Sequence, residues 1–182
     1  MNRAEKVLKE IESQVDKYPI IIGPERGIIL DEVVLEHGPL NVLEVGTLVG
    51  YSAIRMGRLL SPRGRIICVE VDPKIAKVAA QFISKAGLED RISIRVGPAQ
   101  SVIPRLKGPF DLVFLDAEKS EYLEYLHLVE GKMKPGGVVV ADNIRSHPKE
   151  LRNYLDYVRK SGRYSSTNKE SMSDSVEVSV RK

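Results

Sequence analysis

The sequence predicts a doubly wound α/β domain built on a mostly parallel sheet. Three features carry that expectation. Short apolar runs recur along the chain, among them NVLEV (41–45), RIICVE (65–70), DLVFLD (111–116) and VVVA (138–141), and continuous runs of this kind suit strands buried on both faces. Stretches with helical apolar spacing lie between them, so strand and helix alternate. The connections are short and marked by Gly, Pro, Asn and Asp.

Each element has a local reason. Val7, Leu8, Ile11 and Val15 form one apolar stripe, which predicts an amphipathic helix over 2–17. Gly23-Pro24 opens a second helix, with proline at a tolerated first position, and His37-Gly38 ends it. NVLEV is the first strand, a helix follows from Gly50 to Leu60, and Ser61-Pro62-Arg63-Gly64 turns into RIICVE. Asp72-Pro73 caps and starts a helix that stops at Ala86-Gly87. ISIRV (92–96) alternates more than the other strands and belongs nearer an edge. A short helix leads to DLVFLD, and Leu123, Leu126, Val129 and Met133 space a helix over 119–133. Lys134-Pro135-Gly136-Gly137 breaks it before VVVADN. A helix over 148–160, a strand near 163–168 and a last strand, SVEVSVR (175–181), complete the chain.

At 182 residues and 42% hydrophobic content the chain builds one core, so a single domain over 1–182 is expected, with 1–22 as an N-terminal helix and cap segment. Cys68 is the only cysteine and sits inside an apolar run, which reads as a buried, inert thiol and excludes an internal disulfide. The N-terminus has no signal-peptide core, and nowhere do about 18 apolar residues run together, so a cytoplasmic protein without membrane contact is expected. The net charge of +3 is uneven, because residues 145–182 hold nine Lys/Arg against five Asp/Glu. That excess reads first as a solvated basic helix face.

In doubly wound sheets ligands bind outside the carboxyl ends of the strands, so the residues that end each strand are the site candidates. EVGTLVG (44–50) lies between the first strand and its helix, where Gly46 and Gly50 let backbone approach a ligand. The spacing is G-x-x-x-G and not G-x-G-x-x-G, which weakens a dinucleotide reading. Glu44 would repel a pyrophosphate and welcome a cation, and Glu70 stands where a carboxylate accepts from ribose hydroxyls. A nucleoside with a positive charge describes S-adenosylmethionine (SAM) better than NAD. Gly97-Pro98-Ala99-Gln100 adds a polar turn where an adenine can lie, although Gln100 reads equally as a helix-start residue.

Asp116 ends the fourth of these strands, Lys119 follows three residues on, and Asp142-Asn143 end the fifth. Each alone reads as a cap or a turn. Together, on neighbouring strands, two carboxylates and an amide oxygen make a hard ligand set suited to Mg²⁺. A cation beside a sulfonium donor predicts that an acceptor hydroxyl loses its proton readily there, with Lys119 as general base. His147, just past the pair and beside Pro148, reads more readily as a surface histidine than as an acceptor contact.

The stretches EHGPLNVLEVGTLVGYSAIRMGRLLSP, CVEVDP, FLDAEKSEY and ADN make the chain resemble the cation-dependent O-methyltransferases, the catechol O-methyltransferases in particular, from Gly23 to Lys182. The resemblance implies the class I SAM-dependent methyltransferase (Rossmann-like) fold, a mostly parallel seven-stranded sheet with helices on both faces and an antiparallel last strand. It assigns the metal to Asp116, Asp142 and Asn143, and the catalytic base to Lys119. It places the donor against Ile22, Glu44, Gly46, Ser52, Glu70, Ala99 and Gln100, with Asp116 close by.

The departures fall on the acceptor side. Catechol-methylating members wall the substrate with tryptophans, and this chain has no tryptophan. Tyr18 and Glu118 stand where aromatic walls are expected, and Asn168 or Glu170 lies near the place of the late carboxylate that grips a second hydroxyl. The leading expectation is a Mg²⁺- and SAM-dependent O-methyltransferase with a small phenolic or vicinal-diol acceptor. The same chemistry on a hydroxylated tRNA base, and a non-catalytic SAM-binding module, are the alternatives; a homodimer is left open.

Overall fold

The computed structural model of the chain describes residues 2–14, 16–18 and 20–182. Seven strands form one sheet in these residues: β1 (Asn41–Val45), β2 (Arg65–Glu70), β3 (Ile92–Val96), β4 (Phe110–Leu115), β5 (Met133–Ala141), β6 (Tyr164–Glu170) and β7 (Ser175–Arg181). Their order is β3-β2-β1-β4-β5-β7-β6. Strands β1 to β5 are parallel, β7 runs antiparallel to β5, and β6 antiparallel to β7. ISIRV is an edge strand, as its alternation suggested. The strand order reverses between β1 and β4, so the carboxyl ends of these two strands flank the crevice in which such sheets bind ligands.

Helices cover both faces: α1 (Arg3–Glu12), α2 (Gly23–His37), α3 (Tyr51–Gly57) and α4 (Pro73–Ala86), then α5 (Ala99–Val102), α6 (Tyr122–Glu130) and α7 (Arg152–Lys160). Side chains alternate across a strand, so each apolar run feeds two cores. Val42, Ile66, Leu112, Phe114, Val138 and Val140 pack with α1 to α4, while Leu43, Val45, Val113, Leu115, Val139 and Ala141 pack with α5 to α7. Cys68 is fully buried in the first of these cores, where burial pushes its thiol well up. No helix in the described residues is long and apolar enough to cross a membrane.

Three expectations are corrected. The first helix stops at Glu12 and not at 17, with Ser13 as its C-cap and the Ser13 hydroxyl donating to Glu10 O (2.7 Å). Val15, placed on the apolar stripe, lies outside the described residues. Lys134–Gly137 does not separate helix from strand: β5 already begins at Met133, and its pairing with β4 jumps from Phe110↔Met133 to Leu112↔Val138, so these four residues bulge out of the ladder. The helix expected over 148–160 starts only at Arg152.

Candidate active site

A cavity of about 730 Å³ opens at the carboxyl ends of β1, β2, β4 and β5. Ile22, Gly46, Ser52, Glu70, Ala99 and Gln100 line it from the β1–β2 side, and Asp116, Glu118, Lys119, Asn143 and His147 from the β4–β5 side. Residues far apart in sequence meet here because each ends a strand or begins the helix after it.

The β1–α3 turn is built for close approach. Gly46 holds φ +87°, and a Cβ there would sit 2.5 Å from Asp116 O. Only glycine lets the two strand ends converge so tightly. Leu48 takes φ +48°, an uncommon conformation for a side chain of its size. Its N–H donates to Glu70 Oε2 (3.0 Å), and Asp72 N donates to Oε1 (3.1 Å), so Glu70 is already oriented by backbone.

Glu44 is different. It is fully buried, and both its oxygens accept hydroxyl donors, Oε2 from Thr47 (2.6 Å) and Oε1 from Ser52. Burial raises its carboxyl, although Ser52, Thr47 and Cys68 pull it back. Glu44 does not line the cavity; Ser52 and Thr47, whose hydroxyls donate to it, both do.

On the other side, the ladder between β4 and β5 ends at Leu115↔Ala141, which sets Asp116 and Asp142 side by side one residue further on. Asp142 is buried. Its Oδ2 accepts from Arg26 Nη1 at 2.5 Å, and its Oδ1 is buried with no partner among the described residues. Asp116 Oδ1 faces Lys119 Nζ at 3.2 Å, and the same ammonium donates to Ala117 O at 2.9 Å. Burial and then the Asp142 charge push the Asp116 carboxyl up to about 8, against the pull of Lys119 and Arg26. Burial raises Asp142 too, with Arg26 opposing. Asn143 follows at φ +65°, a conformation asparagine tolerates and most residues avoid.

Two crowded carboxylates, one with an orphaned buried oxygen, stand beside an amide oxygen, and each carboxylate has one cationic partner. That donor set fits a hard divalent cation. Among the described residues no three His, Cys, Asp or Glu side chains are grouped so as to hold a metal; the oxygen set here counts two carboxylates and an amide.

Three residues placed on the acceptor side do not line the cavity, and one read as a surface residue does. Tyr18 does not wall the cavity; it is buried edge-on against Phe82, with ring centroids 6.3 Å apart, because an apolar ring gains more in the core than at an open mouth. Neither Asn168 nor Glu170 lines the cavity: the Asn168 amide reaches Ser175 Oγ (3.3 Å) and Glu170 pairs with Arg145 at the surface. His147, read as a surface residue, lines the cavity instead. Arg26 was missed. Its only sequence signal is a cation in the first turn of a helix whose N-terminus faces the site, a place that usually favours acids.

The sequence profile of the O-methyltransferase family matches residues 3–180. Catechol O-methyltransferase B of Danio rerio is 43% identical over 152 residues, 80% of this chain and 57% of that protein. Catechol O-methyltransferase of Sus scrofa is 40% identical over 153 residues, covering 80% of this chain and 81% of the relative. The chain thus spans little more than half the length of the zebrafish protein. The crystal structure of an O-methyltransferase from Bacillus cereus in complex with SAH superposes with a TM-score of 0.86 at 28% identity, over 97% of this chain and 91% of that one. A family match along almost the whole sequence, joined to the same overall fold, settles the assignment: the chain belongs to the O-methyltransferase family.

Proposed function

We propose that the chain transfers the methyl group of SAM to a hydroxyl oxygen of a small phenolic or vicinal-diol acceptor, with a divalent cation, Mg²⁺ for preference, as cofactor. The observation that carries this reading is the meeting of Asp116, Asn143 and Lys119 at one end of a cavity whose other end is lined by Glu70, Gly46 and Ser52, with Asp142 buried beside Asp116 and not itself in the lining. The SAH complex of the Bacillus cereus relative supports the donor, since SAH is what SAM becomes on losing its methyl.

In this reading Glu70 accepts from the ribose hydroxyls, Gly46 leaves room for the donor's chain, and Ala99 and Gln100 border the adenine. Asp116, Asp142 and Asn143 would hold the cation, which supplies positive charge beside the acceptor hydroxyl and makes its proton easier to lose. Lys119 Nζ, in its neutral form, takes that proton as general base. The hydroxyl oxygen forms a C–O bond as the donor's C–S bond breaks, and the sulfonium becomes a neutral thioether. Arg26, which lines the cavity, holds Asp142 Oδ2.

The test is a methyl-transfer assay with labelled SAM, Mg²⁺ and a panel of phenols and vicinal diols. Labelled ether product that disappears with EDTA supports the reading. Tight binding of NAD in preference to SAM would overturn it.

A further inference from the structure

The loop that leaves β5 carries Asp142 and Asn143, and the start of β7 holds that loop by its backbone. Three consecutive N–H groups are used: Ile144 N donates to Ser175 O (3.1 Å), while Arg145 N (2.8 Å) and Ser146 N (3.2 Å) donate to Asp174 Oδ1. With Ser175 N also on Oδ1 (2.7 Å) and the Ser146 hydroxyl on Oδ2, this one carboxylate takes four donors. Asp174 is buried, so water does not readily stand in for them. Burial pushes its carboxyl up, but these donors outweigh it and hold the group below the usual carboxylate range.

Asp174 closes the tip of the β6–β7 hairpin, and that tip also reaches the support of the other carboxylate ligand. Ser173 N donates to Glu25 Oε2 (3.1 Å), one residue before Arg26, which holds Asp142 Oδ2. Arg145 Nη2 donates to Met172 O (2.9 Å), so loop and tip grip each other from both sides. Asn143 needs this bracing. It sits at φ +65°, outside the wells that most side chains occupy, and its carbonyl accepts from His147 N (3.2 Å) and Ser146 Oγ (3.3 Å). A fixed chain on its far side keeps it there. Any change of φ would re-aim the side chain of a residue that lines the cavity.

We infer that Asp174 is a positioning residue for the cation side of the site: by gripping residues 145 and 146 it holds Asn143 where its amide oxygen can join Asp116 and Asp142 on a divalent cation. The inference rests on the cation site of the proposed reaction and adds to it a residue that touches neither cation nor acceptor. Asp174 does not line the cavity, and its carboxylate bonds residues 145, 146 and 175, none of which lines the donor side. Its loss should therefore be felt at the cation and not at the donor.

Mn²⁺ binding to the full chain loaded with SAH, read from the free-ion EPR signal, tests this without turnover. Asp174→Ala should weaken Mn²⁺ by about tenfold, as loss of an outer support does at metal sites, and leave SAH affinity close to wild type. Asp174→Asn keeps an oxygen for the two loop N–H groups but not the charge; a neutral acceptor is about half as strong, so a loss of about threefold is expected. Ser146→Ala removes only the hydroxyl contact and should bind Mn²⁺ as wild type does. A purely structural clasp predicts a lower Tm in Asp174→Ala with Mn²⁺ affinity unchanged, or Mn²⁺ and SAH weakened alike, and either result would overturn the inference. If Asp174→Ala does not fold, Asp174→Asn decides, and Mn²⁺ affinity equal to wild type would overturn it. A wild type that binds neither Mn²⁺ nor Mg²⁺ would overturn the cation reading and this role with it. A wild type that binds Mn²⁺ no better than the folded variants would overturn this inference alone.

Discussion

Arg26 Nη1 lies 2.5 Å from Asp142 Oδ2, tying the first turn of α2 to the carboxyl end of β5. Both side chains are nearly buried, at 11% and 1% exposure. In this range removing one partner costs far more than the pair contributes, since the other charge is left stranded. Arg26→Met should lower unfolding free energy by about 3 kcal/mol, a fall in Tm of roughly 10 °C for a domain of this size. Mg²⁺ should restore part of the loss by neutralising Asp142 in place of the guanidinium. Thermal melts of wild type and variant, in EDTA and in Mg²⁺, check both parts; a loss untouched by Mg²⁺ would mean that Asp142 is not a cation ligand.

Asp116 sets a pH dependence. Its carboxyl ionises at about 8 in the fold against an ordinary value of 3.8, so the native state holds a proton that the unfolded chain has lost throughout that window. Stability without a divalent cation therefore falls as pH rises from about 4 to 8, and Asp116→Asn should flatten that slope. Cation binding requires the ionised form and should release close to one proton near pH 7. Calorimetry in buffers of different ionisation heat measures the release directly. No release would mean that Asp116 is already ionised or takes no part.

Glu70→Gln should weaken SAM binding by about 1–3 kcal/mol, because the ribose hydroxyls lose a charged acceptor. The amide oxygen can still accept from Leu48 N or Asp72 N, so the turn should survive and the Tm change little. Titration calorimetry with SAM decides it.

Lys119→Met should lower kcat by roughly 10²–10⁴, with SAM affinity nearly unchanged. Lys119→Arg should not rescue, since a guanidinium stays protonated at working pH. The deficit should shrink with more acidic phenols, which arrive without the proton. Full activity of Lys119→Met on a weakly acidic acceptor at neutral pH would make the lysine a bystander.

Much of this was legible in the chain. The strands β1, β2, β3 and β7 fall where apolar runs put them, and Asp72, Pro73 and Gly87 bound α4 as cap chemistry requires. Asp116, Lys119 and Asp142 could be brought together because adjacent parallel strands end at the same edge. Contacts made across the fold were not legible. Nothing local tells that Arg26 reaches Asp142, 116 residues away, or that Tyr18 prefers Phe82 to the cavity. The bulge at Lys134–Gly137 misled because Pro and Gly signal a break without saying whether the ladder resumes. His147 read as surface because Asp174, which holds the neighbouring Arg145 and Ser146, comes from a hairpin 27 residues later in sequence.

In the proposed reaction Asp142 and Asn143, with Asp116, serve the acceptor through the cation. This role is tested most directly by measuring SAM affinity and methyl transfer together in Asp142→Ala, with Mg²⁺ and with EDTA. Asp142→Ala should keep SAM affinity close to wild type, show no detectable transfer and not recover with added Mg²⁺, while wild type in EDTA should behave as the variant does. Full turnover by wild type in EDTA, or by Asp142→Ala in Mg²⁺, would contradict it and leave the three oxygens with a purely structural role.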